Sequence, residues 1–250
     1  MIRHGQACRV PQVVFPYFDF SKSVCSRNIL VWIMNILSVD TSSEHGSVAV
    51  VADGEPLGEV RLISSIQHSE RLFRSIDFLF HHVDLSLDDI DLFAAARGPG
   101  SFTGLRIGLA AMEGFAFANG KPSAGISTLA ALAWQTGETD GAVAPVLDAR
   151  RGDVYTALFR REGEALLELQ PAAVLKPAQW VSGLPEGVIS FCGGGVMKYR
   201  SLFETKRHCR IVTVDPYLAT SIARMAGTSN REDLAPLYIR KSDAEVGREV

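Results

Sequence analysis

The apolar positions fall into short runs first and into helical stripes later. Asn35 to Val39 is an apolar stretch closed by Asp40-Thr41-Ser42-Ser43, and Ser47 to Val51 takes up the run again. Asp53-Gly54 marks a tight turn and Glu59 to Ile63 a third strand, so the pattern predicts an antiparallel meander of three strands. The period then changes. Leu72, Phe73, Ile76, Leu79, Phe80 and Val83 recur at helical spacing on one face, which predicts a helix over Gln67–Val83 with Ser64 or Ser65 as its cap. Asp91 to Ala96 reads as a buried strand. It leads into a glycine-rich turn, and Leu105 to Ala118 is apolar nearly all round, predicting a buried helix stopped by Gly120 and Pro122. Ser127 caps a further helix, Thr128–Gln135, closed by Gly137.

The order then repeats in outline. Ala142 to Leu147 is a strand, Asp148 to Asp153 a turn, and Val154 to Arg160 another strand. Val188 to Cys192 precedes Gly193-Gly194-Gly195, Ile211 to Val214 follows, and Ala219 to Met225 is the last clear helix. Two halves that each open strand, aspartate turn, strand predict a duplicated α/β architecture, divided into 34–135 and 136–250. The division rests on element order, because no sequence repeat is visible. The terminal segment is expected to pack back on the first half.

Composition narrows the functional classes. The chain has 250 residues, 47% of them apolar, which suits a folded core and not a disordered chain. The net charge is −3, from 25 basic and 28 acidic residues, with no basic stripe, so strong autonomous nucleic-acid binding is not expected. No apolar run approaches the ~18 residues of a membrane span. The four cysteines form no Cys-x-x-Cys and point to reduced thiols in the cytoplasm. Residues 1–33 stand apart, with Arg3, Arg9, Lys22 and Arg27 against Asp19 and no signal-peptide pattern. They read either as an extension ahead of a true start at Met34 or as a poorly ordered tail.

Three stretches carry candidate chemistry. Asp40, Thr41 and Ser42 at a hairpin could bind a phosphate and its magnesium, or form an ordinary side-chain turn. Gly98, Gly100, Ser101, Thr103, Gly104 and Arg106 form a strand–turn–helix entry. It lacks the lysine of a P-loop, and Thr103 stands where a dinucleotide fingerprint needs its third glycine. What remains is a helix N-terminus able to hold an anion, with Arg106 one turn in, against capping and close packing alone. Asp148 and Arg150 sit in a charged turn that is either a second nucleotide-facing loop, a partner-binding cluster or a solvated hairpin. Gly193, Gly194 and Gly195 permit close backbone approach, as against an adenine ring. No His-x-x-x-His pair exists, so no metal site is assigned, and no serine, histidine and acid share a hydrolase spacing.

The stretches MNILSVDTSSEHGSVAV, QHSERLFRSIDFLF, RGPGSFTGLRIG, GISTLAALA, LDARRGDVYTALF and APLYIR follow one another in this order. Together, from Met34 to about Arg240, they resemble the TsaB (YeaZ) family of tRNA threonylcarbamoyladenosine biosynthesis. The resemblance implies an actin-like ATPase fold, sugar-kinase-like and Hsp70-like, of two ribonuclease-H-like halves. It implies a cytoplasmic protein that pairs with a larger catalytic homologue, TsaD, and works with the small ATPase TsaE. The group transferred is a threonylcarbamoyl, to the adenosine beside the anticodon of tRNAs reading A-starting codons. It places Asp40, Asp148 and Gly193–Gly195 at the fold's phosphate and adenosine loops.

With no base or nucleophile beside them, the expectation is a non-catalytic scaffold that requires no cofactor of its own. ATP or ADP with magnesium would enter in the complex, and tRNA would be bound only through it. The alternatives from other classes are an autonomous ATP-dependent phosphotransferase of the same fold and a peptidase. The resemblance also puts the 67–83 and 105–118 helices in a helical-bundle contact with the partner. Leu72, Phe73, Ile76, Phe80, Leu109, Met112 and Phe115 are its expected anchors unless they serve as core, and charges at Ile76 and Met112 are expected to leave a folded monomer. The isolated chain could also form a homodimer.

Overall fold

The computed structural model describes residues 34–63, 68–163, 165–228 and 233–239. The expectations for residues 1–33 and for a cap at Ser64 or Ser65 lie outside the described residues. The unit from Met34 onwards is built on two five-stranded sheets.

The first sheet has the order β3-β2-β1-β4-β5, from Glu55–Ile63 (β3), His45–Ala52 (β2), Asn35–Asp40 (β1), Leu92–Gly98 (β4) and Ser123–Ser127 (β5). The second has the order β8-β7-β6-β9-β10, from Ala165–Leu175, Val154–Glu162, Ala142–Asp148, Ile189–Cys192 and Cys209–Ile211 respectively. In each, three strands run as an antiparallel meander and two more join in parallel beside the first strand. Two copies of this layout in one chain make the actin-like ATPase fold with its ribonuclease-H-like halves.

β1 shows why its sequence reads as continuous rather than alternating: all six residues are buried, because both faces are covered. Val39 meets Gly108 of α2 (Phe102–Asn119) on one face. On the other, Ser38 Oγ donates to the carbonyl of Ala219 at 2.7 Å, at the start of α6 (Ala219–Ala226). Ala219 N in turn donates to Ser47 Oγ at 3.0 Å, so the last helix completes the first core. α1 (His68–Phe80) packs on β2, β3 and α2, while α3 (Thr128–Gln135) touches strands of both sheets. A second core lies around Phe191, Phe203 and Trp180, with the two phenylalanine rings stacked at 4.8 Å.

Several elements depart from the sequence pattern, each for a local reason. β3 begins at Glu55, because the Asp53-Gly54 turn (φ 52° and 80°) lets pairing resume at once, Ala52 opposite Glu55. α2 starts at Phe102, where Ser101 Oγ accepts the Gly104 N–H at 3.3 Å. Nor is α2 buried all round: Ala110, Glu113, Gly114, Phe117 and Ala118 are exposed. The final strand is Cys209–Ile211 rather than Ile211–Val214. β5 and β8 were not predicted, nor were the short helices α4 (Pro177–Ser182) and α5 (Arg200–Phe203). Among the described residues no helix is long and apolar enough to cross a membrane.

Candidate functional site

The two halves each present one hairpin turn headed by an aspartate at the end of the first strand. In the first half Asp40 is buried. Its Oδ1 accepts the Ser42 N–H at 2.8 Å, and its Oδ2 has no hydrogen-bond partner. Burial raises its carboxyl to about 6, against the opposing pull of the Ser42 hydrogen bonds and the nearby His45. Thr41 and Ser42 are buried too. Thr41 Oγ1 donates to the carbonyl of Gly104 at 2.7 Å, and Ser101 N donates to the carbonyl of Ser42 at 2.7 Å.

The glycine signature explains this closure. Gly100, Gly104 and Gly108 recur every four residues on the face of α2 and its entry that meets the Asp40 turn. A Cβ on Gly100 would strike the Ser42 carbonyl, one on Gly104 the Thr41 carbonyl, and one on Gly108 the Thr41 hydroxyl. The helix therefore lies on the turn backbone to backbone. Of the turn's donors, Thr41 Oγ1 is spent on α2 and the Ser42 amide on Asp40.

Ser101 is used as the helix cap and Thr103 is exposed. Arg106 is engaged with two aromatic rings. Its guanidinium lies 3.8 Å from the centre of the Phe102 ring, and its Nε donates to Tyr238 Oη at 3.0 Å. The Phe102 and Tyr238 rings are 5.1 Å apart. Leu237 N donates to the carbonyl of Arg97 at 2.7 Å, and a Cβ on Gly98 (φ 112°) would lie 3.0 Å from the Leu237 carbonyl. The segment 233–239 thus straps the signature turn. Nothing in the local sequence ties Tyr238 to Arg106, 132 residues away.

In the second half the equivalent turn is open. Asp148 is exposed, its Oδ1 accepts the Arg150 N–H at 2.9 Å, and its Oδ2 accepts Lys198 Nζ at 2.9 Å. The Lys198 ammonium holds this carboxyl below its ordinary range. Lys198 went unnoticed in the sequence because it lies fifty residues away. Gly193 and Gly195 lie against Val146, with Gly195 N donating to the Val146 carbonyl at 2.9 Å. Gly194 faces open space.

Thr41 Oγ1, the Ser42 amide and Asp148 Oδ2 are thus already bonded within the chain, while Asp40 Oδ2 has no partner. Among the described residues no three His, Cys, Asp or Glu side chains cluster as metal ligands.

The expected partner anchors divide. Leu72, Ile76, Leu109 and Met112 are buried in the first core, Met112 completely. They hold α1 and α2 to the sheet and to each other, so a charge at Ile76 or Met112 breaks the fold rather than freeing a monomer. Phe80 and Phe115 are half-buried, Phe115 wedged between Phe93 and Phe73. Phe73 stands 50% exposed, and Phe117, absent from the expected set, 89%.

Residues 58–202, more than half of the chain, match the family described as TsaD: tRNA N6-adenosine threonylcarbamoyltransferase. The chain is 28% identical over 221 residues to tRNA threonylcarbamoyladenosine biosynthesis protein TsaB of Bacillus subtilis, covering 85% of this chain and 96% of that protein. It belongs to the TsaB (YeaZ) family. The Escherichia coli family member of the same description is 37% identical over 147 residues, 58% of this chain and 63% of its own length. The solved YeaZ from Pseudomonas aeruginosa superposes with a TM-score of 0.71 at 26% identity, over 82% of this chain and 99% of that one.

Proposed function

We propose that this chain is a non-catalytic activating subunit of the assembly that transfers a threonylcarbamoyl group to the adenosine beside the anticodon in tRNAs reading A-starting codons. One observation carries the reading: among the described residues no three His, Cys, Asp or Glu side chains gather at either aspartate turn. Asp40 is buried with Thr41 Oγ1 and the Ser42 amide already bonded, and Asp148 is paired with Lys198. An autonomous phosphotransferase needs carboxylates grouped around magnesium and phosphate, so that second reading is disfavoured. The names of the related proteins support the pathway.

The partner is a larger TsaD-like homologue, docked on the outer face of α1 and α2. That face carries Phe73 and Phe117 beside the small residues Ala110, Gly114 and Ala118. Exposed aromatics bordered by small side chains let a second pair of helices approach closely. The same face would serve a second copy when the chain is alone. A TsaE-like ATPase completes the assembly, ATP or ADP with magnesium enters with the partners, tRNA is bound through the complex, and the site of action is the cytoplasm.

The test is co-purification with the TsaD-like partner, with tRNA threonylcarbamoylation measured with and without this chain. Phe117→Glu is expected to fold as the parent does and to lose the partner. Undiminished complex formation would refute the docking face. Magnesium-dependent ATP turnover by the isolated chain, abolished in Asp40→Ala, would favour the phosphotransferase instead.

A further inference from the structure

The turn of the second half holds two consecutive arginines in left-handed backbone, Arg150 at φ 60° and Arg151 at 52°, ahead of Gly152 at 78°. Glycine takes up that region freely, asparagine and aspartate at small cost, and other residues at a larger one. A turn shaped for stability alone would carry those residues. Here long cationic side chains occupy both positions, and both are exposed.

The turn is braced on every side. Asp153 N donates to the Arg150 carbonyl at 2.9 Å, and Ala149 N to the Asp153 carbonyl at 3.0 Å. Lys176 Nζ reaches Asp153 Oδ1 at 2.7 Å and the Arg151 carbonyl at 3.2 Å. Lys198 takes Asp148. Each carboxylate has a lysine, Arg150 also acts on Asp148, and the turn with its two braces holds four cations against two anions. The backbone is fixed, the cost of the conformation is accepted twice, and what both positions share is a guanidinium.

We propose that Arg150 and Arg151 form a docking site for the phosphate oxyanions of a nucleic-acid backbone, so that this chain contributes its own contact to tRNA. The proposal rests on the scaffold reading above. A guanidinium fork matches a phosphate bidentately, and the fixed turn backbone presents the two side chains together. Two such contacts are too few for a chain of net charge −3 to bind RNA alone, but they add to those of its partners. Contacts of this kind set position and register without reading bases. Nucleotide phosphates offer the same oxyanions, yet a small ligand needs enclosing walls, and both side chains here stand exposed.

The experiment uses the reconstituted assembly with its TsaD-like and TsaE-like partners. Arg150→Asn combined with Arg151→Asn removes both guanidiniums and installs residues suited to the backbone. The chain is expected to melt no lower than the parent and to co-purify with its partners as before. Affinity for tRNA should fall on the order of tenfold at ~0.1 M salt, and the slope of log K against log salt should shrink by about 1 to 2. Arg150→Lys with Arg151→Lys should keep the slope and lose part of the affinity. Unchanged tRNA affinity and slope in the asparagine variant overturn the proposal. So does a loss confined to ATP binding, which assigns the arginines to a nucleotide, or a loss of co-purification, which assigns them to an acidic protein surface. A parent chain that neither assembles nor stimulates modification would sink the scaffold reading, and this proposal with it; that is read before any variant is compared.

Discussion

The same hairpin turn occurs twice in this molecule and meets opposite fates. In the first half a helix of eighteen residues follows the fourth strand, and its glycine face closes over Thr41 and Ser42, next to Asp40. In the second half the corresponding helix, α5, has four residues, and Asp148 is left in solvent beside Lys198. The same topology therefore leaves one turn packed against a long helix and the other in solvent. One half has become a rigid platform, and the other keeps an accessible, strongly charged loop.

The largest expected effect probes the platform. Met112→Ala should cost about 2–5 kcal/mol, because it empties a fully enclosed position between α2 and the sheet. Denaturant unfolding measures this. A cost under about 1 kcal/mol would mean that α2 is not the platform's anchor. Next, Gly104→Ala should destabilise by about 1–3 kcal/mol despite alanine's better helix propensity, since its methyl must displace the Thr41 carbonyl. Gly194→Ala, with open space around it, should stay within about 0.5 kcal/mol. Equal effects at the two glycines would erase the contrast between the halves.

The two aspartates sharpen it further through pH. Asp40 has its carboxyl raised in the folded state, so the folded chain binds more protons than the unfolded one between about 4 and about 6. Its ionisation therefore lowers stability as pH rises through that window. Asp40→Asn should stabilise the chain by up to about 3 kcal/mol at pH 8, with the gain vanishing below about pH 4. Melting temperatures of both proteins across that range check it, and a pH-independent difference would contradict the buried carboxyl. Asp148 has the opposite sign. Its lowered carboxyl contributes above the ordinary carboxylate range and loses that contribution as pH falls through its folded value. Because the pair is well exposed, Lys198→Ala should move the melting temperature little. The same variant should return the Asp148 titration, followed by NMR, towards its ordinary value.

Some of this was legible in the residues and some was not, for reasons that differ by element. Both aspartate hairpins announced themselves, since apolar runs bounding Asp40 and Asp148 fit no other local structure. Ser127 and Gly137 framed α3 correctly. β8 did not announce itself, because Glu168, Gln170 and Pro171 interrupt it and its pairing with β7 shifts register at Thr156/Leu158 and Leu158/Phe159. An edge strand with bulges has no clean period to read. α2 read as buried on all sides because alanine and glycine count as apolar wherever they point; Ala110, Gly114 and Ala118 face outwards. The glycine spacing of four was visible, but its purpose depends on Thr41 and Ser42, some sixty residues earlier. Buried and exposed apolar residues share one composition, so Met112 and Phe117 could not be told apart without the fold.

The last helix carries a consequence for how the protein is made. Ile222, Ala223 and Met225 belong to the core of the first sheet, and Ala219 bonds to Ser47 across 172 residues. While a ribosome is still extending the second half, the first therefore waits with one face of β1 and β2 bare. Contacts this distant in sequence form slowly. A nascent chain stalled before Leu218 presents a long apolar groove, the kind of surface that chaperones hold and that aggregates if they do not.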